Sequence, residues 1–249
     1  MKKLLLKTIS FTLLLLMLSA CKKEDFTEPV SVNMEVKIAE GSSPHLAFKL
    51  GAMMIDQIAF DGQRDQGGDV HFTTEDGEEI GPILFPYNQV GYIKRFDIPQ
   101  GIYSHMSWHI ELEDLESDDE DTDTEESDQS SNDVQVSEGA LLISGVYTKI
   151  DGTQLILYII VDEDEQFLIK TEGGDGSNSM TLVTGTSYLA QLIFDPYYAM
   201  QTVSVQSLEE AEVAANASES FIEISANKNE ALYENILFRL GRSAKVVIK

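Results

Sequence analysis

Val32, Met34, Val36 and Ile38 alternate with Asn33, Glu35 and Lys37, and a period of two predicts a strand from Val32 to Ala39 with one buried face. Phe26 to Ser31, which contains Pro29, reads as an extended linker before it. Gly41-Ser42-Ser43-Pro44 predicts a turn. Leu46 to Phe60 is apolar at irregular spacing, and Ile55, Ile58 and Phe60 read as a strand that ends at Asp61-Gly62, with residues 61–69 as a loop. Val70 to Thr74 and Ile80 to Phe85 then read as a hairpin turning at Glu75-Asp76-Gly77-Glu78, its second strand interrupted by Pro82.

Tyr92 to Ile98 and Ile102 to Leu112 form the next expected pair, turning at Pro99-Gln100-Gly101. In the second of these strands Ile102, Met106, Trp108, Ile110 and Leu112 are assigned to the core, and Tyr103, His105, Ser107, His109 and Glu111 to the other face. Further on, Gly139–Ile150 and Thr153–Val161 flank Asp151-Gly152, a dipeptide that supplies the positive φ of a tight hairpin. Phe167–Thr171 pairs with Met180–Thr184, Ser187–Phe194 stops at Asp195-Pro196, and Ser207–Ala217 is partly helical. Phe221–Ser225 reads as a short strand. Asn229 caps a helix from Glu230 to Leu240 that Gly241 ends, and Lys245–Lys249 closes the chain as an edge strand. Short strands between turns at this spacing predict a mainly β fold, an antiparallel sandwich present once or twice, with a short C-terminal helix.

Two segments stand outside this pattern. At the start, Lys2, Lys3 and Lys7 precede an apolar run, and Thr8 to Ala20 holds 13 residues. As a helix that is about 20 Å against a bilayer core of about 30 Å, too short to span, so it reads as a processed leader. In the middle, 13 of the 23 residues from Glu111 to Asp133 are acidic. Such a segment cannot bury enough apolar surface to offset its ordering entropy, and is expected to be a disordered insertion. The expected division is therefore a leader (1–20), a tether (21–31), a first β part (32–112), an acidic linker (113–135) and a second β part with the helix (136–249).

Charge narrows the partners. The leader carries three of the 17 basic residues and none of the 43 acidic ones, which leaves 14 against 43 in the remainder. No Lys/Arg cluster exists to hold phosphate backbones, so nucleic acid is excluded as an expected partner. Cys21 is the sole cysteine.

Leu18-Ser19-Ala20-Cys21 resembles the lipobox of bacterial lipoproteins. The resemblance implies cleavage before Cys21, lipidation of its thiol and a membrane partner reached through that anchor. Lys22, Lys23, Glu24 and Asp25 resemble the signal by which lipoproteins of Bacteroidota reach the outer face of the outer membrane. Pro99-Gln100-Gly101-Ile102-Tyr103 resembles the Pro-x-Gly-x-Tyr turn of transthyretin-like β-sandwich domains in such lipoproteins, a likeness that implies a fold and carries no functional residue.

Candidate chemistry is sparse. Asp119, Asp121 and Asp123 offer alternating oxygen ligands, but without the glycine and glutamate of an EF-hand loop they suit at most weak, diffuse calcium binding. The loops Asp61–Asp69 and Asp162–Glu165 could add carboxylates at one end of a sandwich. His105 and His109 are about 13 Å apart on a strand, too far to share one ion. Tyr197 and Tyr198, with Tyr87 and Tyr92, are candidates for an aromatic platform under a sugar. No nucleophile elbow, Walker loop, dinucleotide fingerprint or zinc-helix motif is present. The expected role is non-enzymatic binding or scaffolding at the cell surface, toward a glycan or protein and without a cofactor. The alternatives are a cation-dependent adhesin or pilus subunit, and a glycan-acting hydrolase or carbohydrate-binding module.

Overall fold

The computed structural model describes residues 27–75, 78–115, 139–215 and 219–249. Cys21, the Lys22, Lys23, Glu24, Asp25 signal and Asp119, Asp121 and Asp123 lie outside the described residues.

The chain is mainly β. Its strands are β1 (Pro29–Ile38), β2 (Leu46–Arg64), β3 (Val70–Thr73), β4 (Ile80–Pro86), β5 (Gly91–Pro99), β6 (Gly101–Leu112), β7 (Leu141–Thr148), β8 (Gln154–Val161), β9 (Gln166–Gly173), β10 (Met180–Leu182), β11 (Tyr188–Phe194), β12 (Val213–Ala215), β13 (Ser220–Ile224) and β14 (Lys245–Ile248). Among the described residues three helices, α1 (Pro196–Met200), α2 (Val205–Glu209) and α3 (Glu230–Ser243), lie in the C-terminal third.

The spine is β2, 19 residues long and paired along both edges. Met53 is opposite Ile83 of β4 and Leu141 of β7, while Ala59 is opposite Thr73 of β3 and His109 of β6. Met54 shows how the two long edges are built. Its N–H donates to the Ala140 carbonyl at 3.0 Å and its carbonyl accepts from the Glu113 N–H at 3.2 Å. The N–H and C=O of one strand residue point to the same side, so β6 and β7 lie end to end on one edge of β2. By the same pairings β3 and β4 share the other edge. The acidic segment thus leaves and re-enters at a break in what is otherwise one continuous antiparallel neighbour of β2.

From this spine the sheet forks. One branch runs from β7 through β8 and β13 to β12, the other from β6 through β9, β14, β11 and β1 to β5. In β9, Gln166–Lys170 pair with β6 and Thr171–Gly173 with β14, so this strand turns the corner of the fold. The longer branch curls until β5 returns beside β4. A Cβ on Gly91 would stand 2.8 Å from the Leu84 carbonyl oxygen, so the two backbones touch at that point and only glycine fits.

The alternation read from sequence is realised in β1, where Val30, Val32, Met34, Val36 and Ile38 are each at most 2% exposed. They join Phe60, Tyr103, Trp108, Phe194 and residues from both branches in one main core. Helix α3 adds Tyr233, Ile236 and Leu240 to it. The sequence leaves one or two sandwiches open; strands from either side of the acidic segment alternate in this sheet and share that core.

Several local expectations change. Strand β2 runs through Asp61-Gly62 to Arg64, because a side chain at Gly62 would strike the Tyr103 ring and glycine serves close packing there, not a turn. The expected β3–β4, β5–β6 and β9–β10 pairs do not pair with each other: β3 and β4 both pair with β2, β5 with β1, and β10 with β6. Gly101, at φ +153°, takes the chain out of β5 and into the layer of β6. A register shift opposite Gln63/Arg64 exchanges the faces at the start of β6, burying Tyr103 and leaving Ile102 47% exposed. The sheet is mixed, since β1–β11, β8–β13 and β9–β14 are parallel. Gly241 lies inside α3, and Asn229 adopts a left-handed conformation with no side-chain cap bond to the helix. Strand β14 sits between β9 and β11, where its Val246, Val247 and Ile248 are buried, so it is no edge. The β7–β8 hairpin forms as expected, with Gly152 at φ +88°.

Candidate functional site

Two grooves stand out, each about 420 Å³. The first is the seam where the curled sheet stops short of closing. Strand β3 pairs with β2 and β5 pairs with β1, and no ladder joins β3 to β5 among the described residues. Thr74 donates its N–H to the Ile58 carbonyl at 2.9 Å, and Gln100 donates to the Glu28 carbonyl at 2.9 Å. Backbone direction alternates along a strand. The N–H and C=O groups of His71 and Thr73 on β3, and of Arg95 and Asp97 on β5, therefore face away from the ladders, toward the seam.

Beneath these edges lies an aromatic floor. Phe72 and Phe96 stack with centroids 5.7 Å apart, and Trp108 packs below at 5.1 Å from Phe96 and 6.3 Å from Phe72. Trp108 is fully buried, and among the described residues its indole Nε1–H has no hydrogen-bond partner. At the rim Lys94 pairs with Glu78 and Arg95 with Asp97, while Glu75 adds a further carboxylate. The groove thus combines open strand edges, an apolar base and a rim of three acids against two bases.

The second groove lies between β9 and α3. Phe167, Leu168, Leu237 and Phe238 line it, together with Glu165, Glu234 and Arg242. Leu168 is 72% and Phe238 63% exposed, and the Arg242 guanidinium stands 5.7 Å from the Phe238 ring centroid. Burial pushes the Glu165 carboxyl above its ordinary range, and Asp162 and Asp164 in its own turn push it further.

Tyr197 and Tyr198 are held by different partners. Tyr197 meets Phe48 edge-on at 4.9 Å, its hydroxyl accepts from the Phe48 N–H at 3.4 Å, and its ring fills the space beside Gly41. The Tyr198 ring is covered by the Arg239 guanidinium at 4.2 Å, and its carbonyl accepts two hydrogen bonds from the same group. Tyr87 borders Tyr197, whereas Tyr92 is exposed on β5.

His105 and His109 stand on the outer face of β6, and His109 Nε2 lies 3.0 Å from Gln166 Oε1. His71 pairs with Asp61 across β3 and β2. Among the described residues no group of three His, Cys, Asp or Glu side chains is arranged to hold a metal. The acids gather instead at the β6–β7 break. Burial raises the Glu113 pKa, and Asp56, Glu163 and Glu79 raise it further against the lowering effect of an Asp114 backbone hydrogen bond. The Asp162–Glu165 turn contributes to this gathering through Glu163, and Asp61 does not figure in it.

Sequence reasoning missed the seam, because an open edge is defined by pairs that do not form. The available signal was the shortness of Val70–Thr73. Comparison with protein-family models, curated proteins and solved structures gives no match.

Proposed function

We propose that this chain is a lipid-anchored protein of the bacterial outer membrane, facing the cell exterior, whose work is binding or scaffolding. The observation that carries the anchor is the order Leu18-Ser19-Ala20-Cys21 behind a basic, apolar leader too short to span a bilayer. Two or more acyl chains are needed for firm membrane attachment, which a fully acylated Cys21 would provide. The acidic body is repelled by anionic headgroups and stands off on its tether. The binding role is supported by the seam, whose free backbone donors and acceptors above an apolar floor are the chemistry of recognition.

Mass spectrometry of the native protein tests the anchor. Acyl chains on Cys21 are expected, with loss of membrane fractionation in Cys21→Ser; an unmodified thiol overturns the reading. Protease added to intact cells is expected to cut the chain, and protection there overturns the outward orientation. A second reading, action on a glycan, is favoured by the β9–α3 groove, where Glu165 and Glu234 lie beside Phe238. Release of reducing sugar from polysaccharide by the wild type, abolished in Glu165→Gln, would establish that reading over the first.

A further inference from the structure

We propose that the seam between β3 and β5 is a docking site for an extended segment of a partner polypeptide, which adds to the free edge of β5 as a further strand. The proposal deepens the binding reading above and names its partner class. It does not depend on the lipid anchor.

The chemistry of the walls selects the occupant. Small polar ligands and lipid chains cannot satisfy a row of backbone N–H and C=O groups at strand spacing, whereas another strand satisfies alternate groups along its whole length. Arg95 and Asp97 present such groups on one wall, and His71 and Thr73 on the other. Phe72 and Phe96 between them would receive every second side chain of the incoming strand, which must be apolar. Its other side chains face the rim. Glu75, Glu78 and Asp97 outnumber Lys94 and Arg95 there, and the chain as a whole carries a net charge of −26. A strand with basic outward positions is drawn in, and an acidic one is repelled. The same charge disfavours a second copy of this chain as the occupant. The Lys94–Glu78 ion pair crosses the mouth with both side chains partly exposed, which makes it a weak clasp.

Trp108, the single tryptophan of the protein, lies directly under the floor and reports on the site without a label. The test uses the full chain and a synthetic eight-residue peptide of alternating valine and lysine, titrated while Trp108 emission is followed. A saturable shift in emission is expected. The same peptide N-methylated at alternate residues keeps its charge and apolar face but loses its edge hydrogen bonds, and should bind about tenfold or more weakly. Arg95→Pro removes one outward N–H while leaving the ladder to β1 intact, and should weaken binding about tenfold while moving the melting temperature by no more than about 2 °C.

Equal binding of the two peptides overturns the proposal, since attraction of charge alone would then account for it; so does the absence of any emission change at millimolar peptide. Unaltered binding by a folded Arg95→Pro protein also overturns it, and if that variant fails to fold the N-methylated peptide decides. Failure here with acylated Cys21 leaves the anchor standing, and peptide binding with an unmodified Cys21 leaves the docking site standing.

Discussion

Strands β1 and β3 belong to one sheet and end in opposite situations. β1 is paired over most of its length on both edges, to β5 and β11, and every second side chain is sealed in the core. β3 has four residues, one paired edge and no fully buried side chain. The wall around β1 closes because long strands from distant parts of the chain reach it. The seam at β3 stays open because the chain supplies only four residues there before turning away. At the wall, backbone hydrogen bonds and apolar burial coincide. At the seam they separate: Phe72, Phe96 and Trp108 pack tightly while the strand edges above them face solvent. A fold can therefore be complete in its core and unfinished in its hydrogen bonding.

The strongest way to break this comparison is to attack the wall. Val32→Asp places a carboxylate at a fully buried position of the apolar core, at a cost of about 5 kcal/mol or more, and loss of the cooperative unfolding transition is expected. Trp108→Ala, where wall and seam share a residue, should cost about 3–5 kcal/mol by denaturant titration. A value below 1 kcal/mol would mean that the seam floor packs loosely and that the core is not shared.

Alkali provides a graded probe of the buried interior. Burial pushes the hydroxyls of Tyr103, Tyr147 and Tyr233 up to about 12 from 10.0. Their raised values mean that the stability they contribute is whole below pH 10.0 and is lost as pH rises toward 12. Tyrosinate absorbance should therefore lag the titration of free tyrosine and then appear together with unfolding. Glu209 behaves in the opposite sense. Hydrogen bonds from the Ile150 N–H and the Tyr147 hydroxyl lower its pKa from 4.5, so the tie it makes from α2 to β7 and the β7–β8 turn is present above pH 4.5 and is lost as pH falls through the folded value.

Two smaller effects sharpen the contrast. Replacing residues 116–138 with a short Gly-Ser turn between Leu115 and Gly139 should shift the melting temperature by no more than a few degrees. Glu113 and Ala140 already meet at Met54, and each doubling of loop length costs only about 0.6 kcal/mol. Arg95→Pro at the seam should change stability by about 0.5 kcal/mol at most, because its N–H makes no ladder bond. The same substitution at Val246, buried between two strands, should prevent folding.

Local periodicity determined much of this protein by itself. Val32 to Ile38 and the Asp151-Gly152 hairpin are short-range patterns that formed where alternation and turn chemistry placed them, whereas the helix after Asn229 formed without its expected cap bond and ran through Gly241 to Ser243. The basic, apolar start of the chain and the acidic run also stand out by composition alone. Pairing was decided by the tertiary structure. Consecutive strands such as β5 and β6 look like a hairpin in one dimension, but β5 pairs with β1 and β6 with β2, and the Gly101 corner lets them part. Tyr103 rather than Ile102 entered the core because a register shift exchanged faces, and β14 became an interior strand because β9 and β11 both had a free edge to offer. A strand's pattern says which side it buries. Which partner lies along each edge, and which edge is left without one, depends on all the strands competing for the same core.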